Sequence, residues 1–283
     1  MAILEGSLLI VGTGIQAAGQ VTVEARAAME RADKLLYVVA DPTTEHYLHK
    51  LNASAESLHG LYETGKERFV TYMEMVSRII DELRKGARVC VAFYGHPGVF
   101  TFPSHEAIRQ ARALGYPARM QPGISAEDCL FADLGIDPSM AGCQSFEATD
   151  FLLFRRRFDT NSSLVLWQIG VIGDPTFQGR GYDLSGLRVL ADYLIGFYGA
   201  QHRAILYEAT HYPTYEPTIQ PVALADLADA KATAVTTMYV PPKEVTAIDS
   251  EMLGRLGLDP SVIHKVAITL GNQVADPPAG DRT

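Results

Sequence analysis

Residues 89–100, VCVAFYGHPGVF, decide the fold of this chain. The first five are apolar and β-prone without alternation, a pattern typical of a parallel strand that helices bury on both faces. The loop at 94–98 then lies at the carboxyl end of that strand, where open parallel sheets bind ligands. Gly95 and Gly98 let the backbone approach a ligand closely, and Pro97 restricts the loop. The stretch predicts an α/β fold with a central binding loop; an ordinary strand-to-helix turn is the alternative.

Composition limits the class of protein. The chain has 283 residues, 47% hydrophobic side chains and a formal net charge of -9. This length allows two packed layers or two small domains. An acidic surface disfavours nucleic acid and membrane surfaces as partners, because both are negatively charged. The three cysteines show no pairing pattern, and no targeting signal or membrane-spanning segment is visible. The sequence therefore predicts a cytoplasmic protein with no nucleic-acid or membrane partner.

A glycine loop also follows the first predicted strand, residues 7–11. The sequence GTG at 12–14 fits the dinucleotide-binding pattern, and Asp41 ends a plausible second strand. A nicotinamide-dependent enzyme is therefore an alternative. That pattern, however, needs a helix that opens directly at the glycines, whereas β-branched residues delay this helix until about Thr22. The spacing to Asp41 is also longer than the pattern's usual spacing of about 20 residues.

A long amphipathic helix is predicted before the central strand. Thr64 and Glu67 have capping-box spacing, which places the helix start near Gly65. Apolar residues then repeat at helical spacing up to Gly86.

The entrance of that helix carries a polar cluster. Arg68 and Tyr72 are four residues apart and share one helix face, and Tyr62 lies in the preceding loop. An arginine and two tyrosines at a helix entrance can face a cleft. A core aromatic at Tyr72 and a surface charge at Arg68 would give the same pattern.

A second loop of the same style lies at residues 122–126, PGISA. Ser125 and Asp128 form another capping box, so this loop opens a helix at 126–134 whose first N–H groups face whatever the loop holds. A plain N-cap is the alternative.

Elsewhere, His46 and His49 have ligand-like spacing, but no further His, Cys or carboxylate cluster completes a site, so no metal is predicted.

The second half of the chain predicts a smaller mixed α+β domain. Gln168 is the polar side chain of an otherwise apolar predicted strand at 164–171, and a buried amide needs hydrogen-bond partners. We predict an N-terminal Rossmann-like αβ domain at 1–121, a C-terminal mixed αβ domain at 122–242, and a helical extension with a polar tail at 243–283.

The motifs together resemble a known family. They are YGHPGVF at 94–100, PGISAEDCLFADLGIDP at 122–138, the strand with Trp167 and Gln168, YEA at 207–209, and MYVPPK at 238–243. They are similar to the tetrapyrrole methylase fold, and within it to the borosin-type peptide backbone α-N-methyltransferases, over residues 8–243. The resemblance implies two αβ domains with S-adenosylmethionine in the cleft between them.

The resemblance also implies roles for single residues. Carried over by position, the cofactor-binding residues are Tyr94, His96, Val99, Phe100, Ser125, Ala126, Gln168, Ala209 and Thr237. The spacing of Tyr62, Arg68 and Tyr72 matches the substrate cluster of the peptide-methylating branch. We expect Tyr62 to be the base, with its pKa lowered by Arg68, and Arg68 and Tyr72 to polarise the amide carbonyl. The two tyrosines can exchange these roles.

The arrangement of the substrate is predicted from the residues after Pro242. About forty residues follow it, fewer than a clasp region plus a fused core peptide need, so we expect a split, bacterial-like enzyme that acts on a separate precursor. Methylation of its own residues 266–270 is an alternative. The resemblance further implies a homodimer, which two precursors would extend to a heterotetramer. A tetrapyrrole or precorrin-type methyltransferase is the alternative function, and a non-catalytic cofactor-binding protein is a third.

Overall fold

The computed structural model describes residues 6–179, 181–244 and 246–259. The chain forms two compact units. Unit 1 comprises Met1–Cys129, Pro175–Arg180 and Ala209–Glu216, and unit 2 comprises Leu130–Asp174, Gly181–Glu208 and Pro217–Thr283. Within the described ranges, no helix is long and apolar enough to cross a membrane.

Unit 1 contains a parallel sheet of five strands in the order β3-β2-β4-β1-β5. The strands are β1 (Ser7–Gly12), β2 (Lys34–Val38), β3 (Glu56–Ser57), β4 (Arg88–Phe93) and β5 (Ala118–Met120). The apolar run that predicted a buried parallel strand is β4, and it lies at the centre, between β1 and β2. The prediction of a parallel α/β sheet is confirmed.

Helices bury both faces of this sheet. They are α1 (Val23–Arg31), α2 (Pro42–Leu51), α3 (Arg68–Arg84) and α4 (Phe102–Ala113). A further helix, α5 (Ala126–Leu134), follows β5 in the chain. Val91 and Phe93 of β4 belong to the core cluster formed with α3 and α4, whereas Cys90 and Ala92 belong to the cluster formed with α1 and α2. The alternation along β4 explains why its sequence is apolar at every position from Val89 to Phe93. Burial raises the pKa of the Cys90 thiol to about 12, so this cysteine is a core side chain rather than a reactive one.

Three glycine loops meet at the carboxyl edge of the sheet. Gly14 and Gly95 form an isolated antiparallel bridge, in which the Gly95 N–H donates to the Gly14 carbonyl at 2.8 Å. A Cβ atom on Gly12 would lie 2.2 Å from the Gly95 carbonyl oxygen, and one on Gly123 would lie 2.9 Å from the same atom. These glycines are needed because backbone packs directly on backbone there.

Gly12→Ala therefore tests the packing of this edge. We expect the substitution to lower the free energy of unfolding by about 3 kcal/mol, because the Cβ would meet a backbone carbonyl that cannot move aside alone. Gly196→Ala is the matched control, since a Cβ at that helical position meets nothing within 4 Å. It should stabilise the protein by about 0.5–1 kcal/mol. Urea unfolding of both variants measures the difference, and equal effects would contradict the packing argument.

The entrance of α3 differs from the prediction. The capping box at Thr64 predicted a start near Gly65, but α3 begins at Arg68, and no side chain caps it. The Gly65 N–H instead donates to the Phe177 carbonyl at 2.8 Å, and the Arg68 N–H donates to the Pro175 carbonyl at 2.9 Å. A distant segment therefore pairs with the residues that the local pattern assigned to the first helical turn.

Unit 2 contains a mixed sheet of five strands in the order β6-β7-β10-β8-β9. The strands are β6 (Cys143–Glu147), β7 (Ser163–Trp167), β8 (Arg203–Glu208), β9 (Thr218–Ala223) and β10 (Thr237–Val240), and only the β6–β7 pair is parallel among these. The described residues of this part of the chain include the helices α6 (Ala148–Leu153), α7 (Gly186–Tyr198) and α8 (Ser250–Arg255). The prediction of a second, mixed αβ part is confirmed.

The predicted strand at 164–171 ends at Trp167, because Gln168 adopts a left-handed conformation with φ 57° and ψ 38°, and a short 3-10 helix follows at Ile169–Val171. Of the predicted C-terminal extension, α8 lies in the described part. Residues 260–283 of that extension, which include the segment 266–270, lie outside the described residues.

Candidate functional site

The predicted polar cluster is assembled within unit 1. Tyr62 lies in the loop after the 3-10 helix His59–Leu61, and its hydroxyl is hydrogen-bonded to Tyr72 of α3. Arg68 and Tyr94 lie close enough to Tyr62 for their charges to act on it. The structure thus brings together the three residues that the sequence singled out, together with the first residue of the central loop.

The electrostatics of Tyr62 are dominated by burial. Burial raises the pKa of the Tyr62 phenol well above its ordinary value of about 10, and Tyr72 and Tyr94 raise it further. Arg68 lowers this pKa, as the sequence argument required, but the combined effect of the other groups is larger. Tyr62 is therefore protonated at neutral pH, and its phenolate, once formed, is a stronger base than an ordinary tyrosine.

A segment that the sequence argument missed contacts this cluster. Residues 175–179, here called the strap, run antiparallel to the loop before α3, with a bridge between Glu67 and Thr176. The Phe177 ring lies with its centroid 4.9 Å from that of Tyr62. Nothing in the local sequence PTFQG points to this contact, because it joins residues more than a hundred positions apart.

The central loop is shaped by its own hydrogen bonds. The Gly98 N–H donates to His96 Nδ1 at 2.9 Å, and the Val99 N–H donates to the His96 carbonyl at 3.2 Å. In the neutral ring the proton of His96 then lies on Nε2. Phe100 follows with φ 51°, a left-handed conformation that aromatic residues rarely adopt. Strained backbone of this kind is concentrated at functional sites.

The loop before α5 matches the prediction. The Ser125 N–H and hydroxyl both donate to Asp128 Oδ2, at 2.7 and 2.9 Å, and the Asp128 N–H donates to the Ser125 hydroxyl at 3.2 Å. The capping box is confirmed, and Ala126 is the first residue of the helix. The Ser125 N–H, the Ser125 hydroxyl and the Asp128 N–H therefore already donate within the cap itself.

The glycine loop after β1 does not meet the requirements of a dinucleotide site. The helix α1 begins only at Val23, after the N-cap Thr22. The N–H groups of Ile15 and Gln16, which would point at a pyrophosphate, donate to Gln20 Oε1 at 2.7 and 3.1 Å. The conditions for the nicotinamide alternative are therefore not met.

The remaining predicted cofactor residues lie in two places. Ala209 starts a segment of unit 1 in which the His211 carbonyl accepts from the Ala17 N–H at 2.8 Å. Gln168 and Thr237 lie in unit 2, where β7 and β10 pair antiparallel, so the end of one strand adjoins the start of the other. Gln168 is the second predicted cofactor residue, after Phe100, that has a left-handed backbone.

The family follows from comparison with known sequences. The family model of Tetrapyrrole (Corrin/Porphyrin) Methylases matches residues 7–216. This chain belongs to that family.

Three relatives carry more specific names. The chain is 44% identical over 260 residues to the methyltransferase/ribosomally synthesized cyclic peptide omphalotin A precursor of Omphalotus olearius, covering 90% of this chain and 62% of the relative. It is 45% identical over 257 residues to a type III borosin cyclic peptide precursor of Anomoporia bombycina, covering 89% of this chain and 30% of the relative. A type I borosin precursor of Mycena rosella is 36% identical over 280 residues, covering 97% of this chain and 70% of the relative.

These names bear on the predicted arrangement of the substrate. Each of the three is named as methyltransferase and peptide precursor in one polypeptide. The split, bacterial-like form with a separate precursor finds no support among them. The chain spans less than two thirds of the Omphalotus and Anomoporia relatives.

Two solved structures share the fold. The uroporphyrin-III-C-methyltransferase of Thermus thermophilus has a TM-score of 0.60 at 16% identity, covering 89% of this chain and 96% of that chain. The precorrin-6Y methylase of Archaeoglobus fulgidus has a TM-score of 0.55 at 17% identity, covering 84% and 98%. The predicted tetrapyrrole methylase fold is confirmed.

Proposed function

We propose that this chain transfers methyl groups from S-adenosylmethionine to backbone amide nitrogens of a ribosomally made peptide precursor. The observation that carries the proposal is the Tyr62–Tyr72 hydrogen bond beside Arg68. The printed names of the fungal relatives, which pair a methyltransferase with a ribosomal peptide precursor, support it.

In the proposed reaction, residues of this chain make an amide nitrogen reactive enough to accept a methyl group. An amide nitrogen is a poor nucleophile because its lone pair is delocalised into the carbonyl. S-Adenosylmethionine, when bound, supplies a methyl group on a positively charged sulfur. The Tyr62 phenolate removes the N–H proton, and the negative charge of the resulting imidate spreads onto the carbonyl oxygen. Arg68 and the Tyr72 hydroxyl stabilise that oxygen, and such contacts are strong where a bound substrate excludes water.

The residues proposed to hold the cofactor fit such a molecule. Tyr94 and Phe100 expose 40% and 48% of their surface and offer apolar rings. Gln168 offers an amide of the kind that hydrogen-bonds a ribose or an amino-acid moiety, and the Ser125 hydroxyl keeps one acceptor lone pair beside its own cap. The left-handed backbone at Phe100 and Gln168 is a further feature typical of binding sites. His96, Val99, Ala126, Ala209 and Thr237 complete the proposed set.

The test is intact-mass spectrometry of a defined substrate. The precursor region of the Omphalotus olearius relative, prepared as a separate peptide, is incubated with this chain and S-adenosylmethionine. We expect successive mass increments of one methylene unit on the peptide, and fragmentation should place them on backbone nitrogens. The same spectra of the protein chain itself reveal methylation in the same polypeptide.

The mass spectra distinguish a separate precursor from a precursor in the same polypeptide. Methylated peptide supports action on a separate precursor, and methylated chain supports the fused arrangement that the relatives' names describe. Unmodified peptide and unmodified chain, together with methylation of a tetrapyrrole, would overturn the proposal. The homodimer and heterotetramer stay predictions, and sedimentation with and without the peptide measures them.

A further inference from the structure

The strap is fixed to the loop that carries the proposed catalytic residues. Its backbone makes three hydrogen bonds there: Gly65 N–H to the Phe177 carbonyl at 2.8 Å, Phe177 N–H to the Lys66 carbonyl at 2.9 Å, and Arg68 N–H to the Pro175 carbonyl at 2.9 Å. These bonds replace the first helical turn that the sequence predicted. The strap is therefore part of the structure of this loop.

The strap touches the cluster at two points. The Phe177 ring is tilted by 38° to the Tyr62 ring, and the two ring centroids are 4.9 Å apart. The centroid of the His59 ring lies 6.5 Å from that of Phe177. The Pro175 carbonyl accepts a second hydrogen bond, from Arg68 Nε, at 3.4 Å. One short segment thus covers the phenol of Tyr62 and orients the guanidinium of Arg68.

We propose that the strap positions the catalytic pair: Phe177 keeps water from the Tyr62 ring, and the Pro175 carbonyl holds Arg68 in orientation. This inference rests on the proposed function and assigns positioning residues to it. Phe177 and Pro175 are positioning residues in this proposal, since the first contacts Tyr62 and the second accepts from Arg68.

Removal of the Phe177 ring is expected to lower the pKa of Tyr62. The titratable and charged groups that face it are Tyr72 and Arg68 from α3, Tyr94 from the central loop and His59 from the 3-10 helix. Burial is the largest cause of its raised pKa. Removal of the Phe177 ring admits water, which stabilises the phenolate and lowers the pKa of Tyr62.

The test measures this pKa directly and does not depend on methylation. A fluorinated tyrosine is incorporated at position 62, because its lower intrinsic pKa brings the titration into an accessible range, and fluorine NMR follows it. In Phe177→Ala the midpoint should fall by about one pH unit or more. Phe177→Leu keeps an apolar side chain, so its midpoint should fall by less. Phe154→Ala is the control, since the Phe154 ring is 66% exposed and lies beneath Arg156, and it should leave the midpoint unchanged.

Kinetics give a second readout. When kcat is divided by the phenolate fraction that the shifted midpoint gives, Phe177→Ala should lower it by about tenfold or more with little change in KM, because misplaced groups fail in the transition state rather than in substrate binding. Phe177→Leu should recover part of the loss. A Tyr62 midpoint at the wild-type value in every folded Phe177 variant would overturn the inference. If Phe177→Ala does not fold, Phe177→Leu carries the same test. Unmodified peptide and unmodified chain, together with methylation of a tetrapyrrole by the wild type, would instead overturn the proposed function, and the titration would still decide the role of the strap.

Discussion

Arg68→Ala is expected to lower kcat for peptide methylation by about 10²- to 10³-fold, the loss seen when one donor to a developing oxyanion is removed. Arg68 lies beside the Tyr62–Tyr72 pair, and its charge acts on Tyr62. In the proposed reaction the charge on the carbonyl oxygen develops only as the amide loses its proton. The guanidinium therefore contributes to the transition state more than to substrate binding, and kcat and kcat/KM should fall together.

Two companion variants sharpen this prediction. Arg68→Lys keeps the charge but loses the planar fork, including the Nε that donates to the Pro175 carbonyl at 3.4 Å, so about a tenfold loss is expected. Arg109→Ala is the control, because Arg109 is an exposed α4 residue paired with Glu106, and its activity should stay within about twofold of wild type. Single-turnover rates measured by mass spectrometry provide the comparison. An Arg68→Ala enzyme that retains half of the wild-type kcat would remove Arg68 from the mechanism.

The elements that the sequence predicted well are those with local causes. The continuous apolar run of β4 needs only burial on both faces, and the Ser125–Asp128 capping box needs only residues three apart. Both patterns are complete within a few positions, so no other part of the chain has to be known. The polar cluster is an intermediate case: helical spacing placed Arg68 and Tyr72 on one face, and Tyr62 is near them because the loop is short.

The elements that it missed depend on distant partners. The first turn of α3 is replaced by pairing with the strap, and no pattern near Thr64 reveals that pairing. The net pKa of Tyr62 was predicted from Arg68 alone, whereas burial has the larger effect and is a property of the packed structure. The left-handed residues Phe100 and Gln168 carry no sequence signal either, because neither is a glycine or an asparagine.

The raised pKa of Tyr62 leads to the second large prediction, on the pH dependence of methylation. Only the phenolate accepts the amide proton, and at every pH well below the pKa its fraction increases tenfold per pH unit. Because burial and the neighbouring tyrosines place the pKa of Tyr62 above its ordinary value, the range from pH 7 to pH 9 lies entirely below it. We therefore expect kcat to rise by about 100-fold over these two units, without a plateau.

Three variants identify the group responsible for this slope. Tyr62→Phe should be slower at all pH values and should lose the slope, because phenylalanine cannot take the proton. Tyr72→Phe should be slower but keep the slope, since this hydroxyl stabilises the carbonyl oxygen in the proposed mechanism. Tyr215→Phe, at a side chain that is 69% exposed, should behave as wild type. A slope that survives in Tyr62→Phe and disappears in Tyr72→Phe would exchange the roles of the two tyrosines. A wild-type rate that is flat between pH 7 and 9 would exclude a tyrosine of raised pKa as the base, and would leave Tyr62 as a hydrogen-bond donor to the carbonyl oxygen.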